Sequence, residues 1–329
     1  MYDIDGKSIL VTGGSGSFGN QFVEHLLSLH KPKKVMVYSR DEFKQSQMAE
    51  RIRDPRARFF IGDVRDLPRL EMAMREVDIV VHAAAMKQVP IAEYNPMECV
   101  KTNIMGAENI VSAAINCGVQ RVVALSTDKA CNPINLYGAT KLASDKIFVA
   151  SNNLSGSVGT RFSVVRYGNV AGSRGSVIPL FDRLIKGGAD HLPITDERMT
   201  RFWITLDQGV QFVVSCLKTM QGGELFVPKI PSMKIIDLAH AMAPNLPLKM
   251  VGIRPGEKLH EVMITEDDAR STVELPDRYV IQPALSWWEP EGPVMKGTPV
   301  ADNFRYGSDN NSDWLDAARV RDMLGDWQH

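Results

Sequence analysis

Ser8-Ile9-Leu10-Val11-Thr12-Gly13-Gly14-Ser15-Gly16-Ser17-Phe18-Gly19 passes from an apolar run straight into a glycine-rich turn, and then into a helical pattern from Phe18 to Leu29. Glycine lets the backbone turn tightly and approach a pyrophosphate. The helix that follows presents unpaired N–H groups and a dipole that favours an anion. The Gly-x-x-Gly-x-x-Gly spacing of Gly13, Gly16 and Gly19 is weak evidence alone, since glycine turns are common. Its strand–turn–helix setting, ahead of further βα units, marks Gly13, Ser15, Gly16, Ser17, Phe18 and Gly19 as dinucleotide-binding candidates; the competing reading is a purely structural turn.

Working outward, apolar runs recur at Lys34–Ser39, Arg58–Gly62, Asp78–His82, Arg121–Ser126 and Phe162–Arg166. Continuous apolar strands of this kind are buried on both faces, as in a parallel sheet. Helical patterns separate them: Asp41 to Ile52, Leu67 to Arg75, Pro96 to Cys117 and Leu136 to Ala150. The βαβαβ rhythm predicts an α/β fold with a doubly wound parallel sheet, whose ligands bind at the carboxyl ends of the strands. After about residue 168 Gly and Pro punctuate shorter pieces, with helices expected over Leu206 to Met220 and Ile235 to Ala243. We therefore expect a cofactor domain over 1–167 and a smaller mixed substrate region over 168–329, parts of which return to the core. Trp287 to Asp302 reads as a surface excursion, and the methionines between Met233 and Met250 as core filler.

Each expected strand end carries chemistry. After the second come Ser39, Arg40 and Asp41, with Lys44 a turn later. A guanidinium and an ammonium suit a 2′-phosphate, which favours NADP over NAD. Asp41 is open to two readings, the acid that holds a ribose hydroxyl or a helix cap. Asp63 and Val64 follow the third strand, where Asp63 can meet an adenine amino group, and Ala83 and Ala84 follow the fourth, where small residues let a cofactor pass.

The fifth strand ends in Ser126-Thr127-Asp128-Lys129-Ala130, and Tyr137-Gly138-Ala139-Thr140-Lys141 opens the next helix. Tyr137 and Lys141, four apart, share a helical face. An ammonium there lowers the phenol pKa and lets Tyr137 act as a base toward a substrate hydroxyl. With the glycine turn and the preceding Thr127, this constellation resembles the extended short-chain dehydrogenase/reductases, Rossmann-like enzymes that act on nucleotide sugars. Asp128-Lys129 narrows the resemblance. Dehydratases that retain C5 configuration usually carry Asp-Glu there, and Lys129 instead is similar to the inverting UDP-N-acetylglucosamine 4,6-dehydratases, which open pseudaminic acid biosynthesis. His82-Ala83-Ala84-Ala85-Met86-Lys87, Arg166-Tyr167-Gly168-Asn169-Val170, Met199-Thr200-Arg201-Phe202-Trp203 and Gly256-Glu257-Lys258-Leu259-His260-Glu261 extend it over nearly the whole chain. Membrane-anchored and capsule-type relatives tend to have Met where this chain has Tyr137.

The resemblance implies a hydro-lyase acting on UDP-N-acetylglucosamine with NADP as a regenerated cofactor. Tyr137, helped by Lys141 and Thr127, takes the C4 hydroxyl proton as C4 is oxidised. Lys129, expected to be kept neutral by burial and by Lys141, removes the C5 proton. Asp128 protonates the departing C6 hydroxyl, and hydride return to C6 leaves a 4-keto-6-deoxy sugar of the L series. Lys87, Asn169, Val170, Arg174 and Arg254 are the implied substrate contacts, and arginine suits a diphosphate because it binds bidentately. A C4 epimerase would need Tyr137 and Lys141 but not Asp128-Lys129; a non-enzymatic NADP-binding regulator would commonly lose Tyr or Lys. The group resembles proteins that assemble as dimers or hexamers.

Composition excludes other classes. In 329 residues, 38 Lys plus Arg balance 39 Asp plus Glu, so nothing broadly attracts nucleic acid or anionic membrane. The N-terminal segment carries Asp3 and Asp5 and no apolar core, and no run approaches the roughly 20 apolar residues of a membrane span. Cys99, Cys117, Cys131 and Cys216 are dispersed, as in a cytoplasmic protein with free thiols. Cys131, two residues past Lys129, suggests sensitivity to oxidation. His82 and His260 form no metal-binding motif, so no metal is expected.

Overall fold

The computed structural model describes residues 2–173, 175–283 and 295–328. Its core strands are β1 (Ser8–Thr12), β2 (Lys34–Ser39), β3 (Ala57–Ile61), β4 (Ile79–His82), β5 (Arg121–Thr127) and β6 (Arg161–Tyr167), all parallel in the order β3-β2-β1-β4-β5-β6. Ile9, Leu10, Val11, Val80, Val81, Val122 and Val123 are fully buried, because helices cover both faces of the sheet. Each such side chain removed from water contributes about 1.5–3 kcal/mol. The chain winds one way from β1 through β2 and β3 and the other way from β4 on. That reversal opens a crevice at the carboxyl ends between β1 and β4.

The helices are α1 (Ser17–Leu29), α2 (Glu42–Arg51), α3 (Leu67–Ala73), α4 (Val89–Tyr94), α5 (Pro96–Val100), α6 (Gly106–Asn116) and α7 (Leu136–Ala150). On α1, Gly19, Phe22, Val23 and Leu26 form the buried stripe expected of a 3.6-residue period. The single helix expected over Pro96 to Cys117 is interrupted, because Lys101–Met105 takes a π-helical turn between α5 and α6. That widened turn points Asn103 inward, where its side chain accepts from the Met86 N–H at 2.8 Å and donates to the Met86 carbonyl at 2.9 Å. A regular helix forfeits that clamp, and π-turns recur where a side chain is re-aimed in this way.

Strand Leu225–Pro228 adds to β6 in parallel, pairing Leu225 with Val164. Arg278–Ile281, Thr272–Glu274 and Thr298–Pro299 extend the sheet antiparallel beyond it. The expected excursion over Trp287 to Asp302 thus ends in an edge strand; residues 287–294 lie outside the described residues. Helix Leu206–Thr219 packs under the sheet, its start closed by a reciprocal cap between Thr205 and Gln208. A second apolar cluster joins Ile178, Phe181, Trp203, Met233 and Leu238 beneath the three-stranded sheet of Asn169–Val170, Thr200–Ile204 and Ser232–Lys234. Met233 is core there, whereas Met250 is half exposed, so the methionine run fills the core only in part. Among the described residues no helix is long and apolar enough to cross a membrane.

Candidate active site

A cleft of about 770 Å³ lies along the carboxyl ends of β1 to β6 and reaches the loops around Asn169 and Arg254. Its first half is built by the glycine turn. Gly13 has φ +64°, and a Cβ there would sit 2.9 Å from the backbone of Ala83 and Ala84, so the turn closes on the next strand end only with glycine. Thr12 ties the same strand ends together: its hydroxyl meets His82 Nδ1 at 2.8 Å and accepts from the Ala84 N–H at 3.3 Å. Helix α1 begins after Gly16 with no side-chain cap and no acid in its first turn. Those uncapped N–H groups and the side-chain-free cradle fit the pyrophosphate of a dinucleotide.

At the end of β2 the Ser39 hydroxyl bonds the Ser15 hydroxyl at 2.8 Å. Asp41 caps α2 by accepting from the Lys44 N–H at 3.0 Å, and its carboxylate also pairs with the Lys44 ammonium. Asp41 thus fills the helix-cap role, one of the two expected for it. The Arg40 side chain is 63% exposed on the cleft rim, 3.8 Å from Asp63 Oδ2. Asp63 itself is gripped by Arg65 through both carboxylate oxygens.

The second half hangs on α7. Asn135 caps it by accepting from the Gly138 N–H at 2.8 Å. A Cβ on Gly138 would lie 2.1 Å from the Lys129 carbonyl oxygen, so only glycine lets α7 pack against the Asp128–Ala130 turn. That contact brings Tyr137 and Lys141 beside Thr127 and Lys129 at the cleft. Asp128 is fully buried behind them, with Oδ1 accepting from the Thr127 hydroxyl at 2.9 Å and from Lys129 Nζ at 3.0 Å. Asn169 Oδ1 stands 3.4 Å from the same ammonium, and Glu261 Oε1 stands 3.3 Å from it.

Burial raises the Tyr137 phenol to about 12, while the Lys129 charge and a hydrogen bond with Thr127 draw it back down. Burial lowers the Lys141 pKa, and Asp145 opposes that fall. His82, wholly buried beside the Lys141 charge, is held down to about 3 and is neutral. Lys129 overturns an expectation. Burial does favour its neutral form, but the charges of Asp128 and Glu261 outweigh burial and raise its pKa, so at rest it is an ammonium. Cys131 is a second correction. It is buried and its thiol is pushed up to about 11, so the thiolate that oxidants attack is scarce.

The cleft brings together Gly13, Ser15, Gly16, Ser17, Phe18, Gly19, Ser39, Arg40, Asp41, Lys44, Asp63, Val64, Ala83 and Ala84 on one side. Thr127, Lys129, Tyr137, Lys141, Lys87, Asn169, Val170 and Arg254 line the other. Asp128 sits behind the wall, and Arg174 lies outside the described residues. Arg254 is oriented by Glu257, its Nη2 3.0 Å from Oε1. Sequence reasoning missed Arg201 and Glu261 as site residues. Buried Arg201 donates to the carbonyls of Thr200, Lys258 and Leu259 and so fastens the Glu257–Glu261 loop to the cleft. In sequence the Gly256–Glu261 run reads as a solvated charged loop, so nothing local singles out Glu261, which the fold buries. Among the described residues no group of His, Cys, Asp and Glu is placed to hold a metal ion.

Residues 9–283 match a family model described as polysaccharide biosynthesis protein. The chain is 58% identical over 324 residues to a UDP-N-acetylglucosamine 4,6-dehydratase (inverting) from Campylobacter jejuni, with 97% of each chain covered. It is similar to the solved structure of Pen from Bacillus thuringiensis, with a TM-score of 0.90, 36% identity, and 100% of this chain and 99% of that chain covered. It is also similar to DesIV, a dTDP-glucose 4,6-dehydratase from Streptomyces venezuelae with NAD and TYD bound. There the TM-score is 0.70 and the identity 26%, over 77% of this chain and 86% of that one.

Proposed function

The chain belongs to the polysaccharide biosynthesis protein family and, within it, to the inverting UDP-N-acetylglucosamine 4,6-dehydratases, and we propose that the Asp128–Lys129 pair beside Tyr137 performs that elimination on UDP-N-acetylglucosamine. The enzyme is a hydro-lyase. The observation that carries the assignment is an ammonium donating to a buried carboxylate at 3.0 Å, next to a tyrosine at the same cleft.

Tyr137 accepts the C4 hydroxyl proton once its own phenol proton has passed to solvent; Thr127 and the Lys129 charge favour that phenolate against burial, and Lys141 stands one helical turn away on α7. A dinucleotide held by the Gly13–Gly19 turn would supply the hydride acceptor at C4 and the hydride donor at C6. The C4 ketone acidifies the C5–H bond. Lys129 becomes a base by passing its proton to Asp128: an Nζ–H bond breaks and an Oδ1–H bond forms, leaving an amine and a carboxylic acid. The amine takes the C5 proton; the acid protonates the C6 oxygen as the C6–O bond breaks and water leaves. The ammonium–carboxylate pair is then restored; C5 takes a proton from solvent water on the opposite face, and Tyr137 releases the C4-hydroxyl proton to solvent, so the cycle closes. Cofactor regeneration makes the cycle redox-neutral.

We assign NADP as the dinucleotide. Asp41 is occupied as a helix cap and as the partner of Lys44, while Arg40 stands on the cleft rim where a 2′-phosphate would sit. Lys87, Asn169, Val170, Arg174 and Arg254 are assigned to the UDP-sugar, with Arg254 held in place by Glu257. A C4 epimerase has no use for a buried acid–amine pair.

The test is incubation with UDP-N-acetylglucosamine in deuterated water, followed by NMR and mass spectrometry. Loss of one water, with deuterium at C5 and an L-configured 4-keto product, is expected. A C4-epimerised sugar with water retained would overturn the assignment.

A further inference from the structure

The described mechanism leaves one buried acid at the cleft without a task. Glu261 is 2% exposed, with Oε1 3.3 Å from Lys129 Nζ. Its Oε2 is buried with no hydrogen-bond partner among the described residues. The Ser308 hydroxyl accepts from the Glu261 N–H at 2.9 Å and the Arg201 clamp holds the loop, so the carboxylate reaches Lys129 from a fixed backbone. The charged and titratable groups around the pair are Asp128, Tyr137, Arg201 and Lys258, with Arg201 Nε at 3.8 Å and Lys258 Nζ at 3.7 Å from Glu261. A buried carboxylate left without a full set of partners is costly, and one facing an amine is tolerated because it stabilises the ammonium.

We propose that Glu261 is the positioning residue that fixes Lys129 and sets its affinity for a proton, an inference that rests on the reading of Lys129 as the C5 base. The elimination itself requires such a partner. Once Lys129 has taken the C5 proton and Asp128 still carries its own, Asp128 is neutral and cannot balance the ammonium. Glu261 is then the carboxylate in contact with it. Without Glu261, that ammonium would stand near the Arg201 and Lys258 charges with no carboxylate to balance it.

The test titrates Lys129 in the cofactor-free protein by NMR of ¹³Cε-labelled lysine, with Lys129→Arg assigning the resonance. Glu261→Gln, which keeps shape and removes charge, should move the Lys129 titration down by about one to two pH units. Glu261→Asp, which keeps the charge but withdraws it by a methylene, should restore part of the shift. With UDP-N-acetylglucosamine, the basic limb of water loss should move down by the same amount in Glu261→Gln. C4 oxidation should keep its own pH profile. A purely structural Glu261 would lower stability or raise KM without moving either titration; an unmoved Lys129 in folded Glu261→Gln or Glu261→Asp overturns the proposal. If the wild type released no water, the dehydratase reading would fall on its own, and the Lys129 titration would still decide whether Glu261 governs that amine.

Discussion

Lys129 Nζ lies 3.0 Å from Asp128 Oδ1, and the other oxygen of that carboxylate, Oδ2, is buried with no hydrogen-bond partner among the described residues. The pair therefore holds one transferable proton and one open acceptor. Replacing Lys129 by Met removes the base and leaves Tyr137 with its Thr127 partner in place. Water loss should fall by about a hundredfold or more, while oxidation at C4 persists at a reduced rate, because the Tyr137 phenolate loses the Lys129 charge, and is seen as reduced dinucleotide accumulating. Asp128→Asn should likewise stall after oxidation, because an amide cannot protonate the leaving oxygen. Full turnover by either variant, measured by product mass, would remove the pair from the chemistry.

Dinucleotide choice is assigned to the end of β2. Lys44 is already paired with Asp41, so Arg40 is the cation expected to discriminate. A charge-assisted hydrogen bond is worth about 1.5–3 kcal/mol. Arg40→Ala should thus weaken NADP binding by about tenfold or more and leave NAD binding nearly unchanged, as read by calorimetric titration of both. Equal losses for the two nucleotides would point to a general defect of the loop.

Much of this site was legible in the chain because local chemistry dictates it. The glycine turn, the strand ends and the Tyr137–Lys141 spacing are each set within a few residues, and the parallel sheet follows from continuous apolar runs such as Ile9–Val11. What escaped is non-local. Glu261 is 132 positions from Lys129, yet it joins the neighbouring Asp128 in holding that lysine charged, and together the two carboxylates outweigh burial. The break at Lys101–Met105 was hidden for a similar reason. Its helical pattern is intact, and only the Asn103 clamp on Met86 shows why the turn widens.

Gly138 offers a test of how the two halves of the catalytic segment are joined. Alanine favours a helix over glycine by about 1 kcal/mol. Here its Cβ would stand 2.1 Å from the Lys129 carbonyl, a backbone atom that cannot swing aside. Overpacking of this kind costs about 1–3 kcal/mol, so the clash should win. Gly138→Ala should lower the denaturant midpoint, and turnover should fall further than stability, because the Asp128–Lys129 turn must shift away from Tyr137. A stabilised and fully active Gly138→Ala would mean that the contact gives way freely.

His82 makes stability depend on pH. Burial and the Lys141 charge hold its imidazole at about 3, against an ordinary 6.5. Between those values the unfolded chain binds a proton that the folded one refuses, so stability rises with pH across that window and is lost as pH falls through it. Each unit of displacement corresponds to about 1.4 kcal/mol, which makes the loss several kcal/mol by the acid end. Chemical denaturation should show stability dropping from neutral pH toward pH 5, with His82→Gln flattening that slope. Lys141→Met should also flatten it, because removing the neighbouring ammonium lets the imidazole protonate more readily inside the fold. A slope unchanged in both variants would place the acid sensitivity elsewhere, in carboxylates such as Asp277, which its hydrogen bonds with Arg278 hold below the usual range.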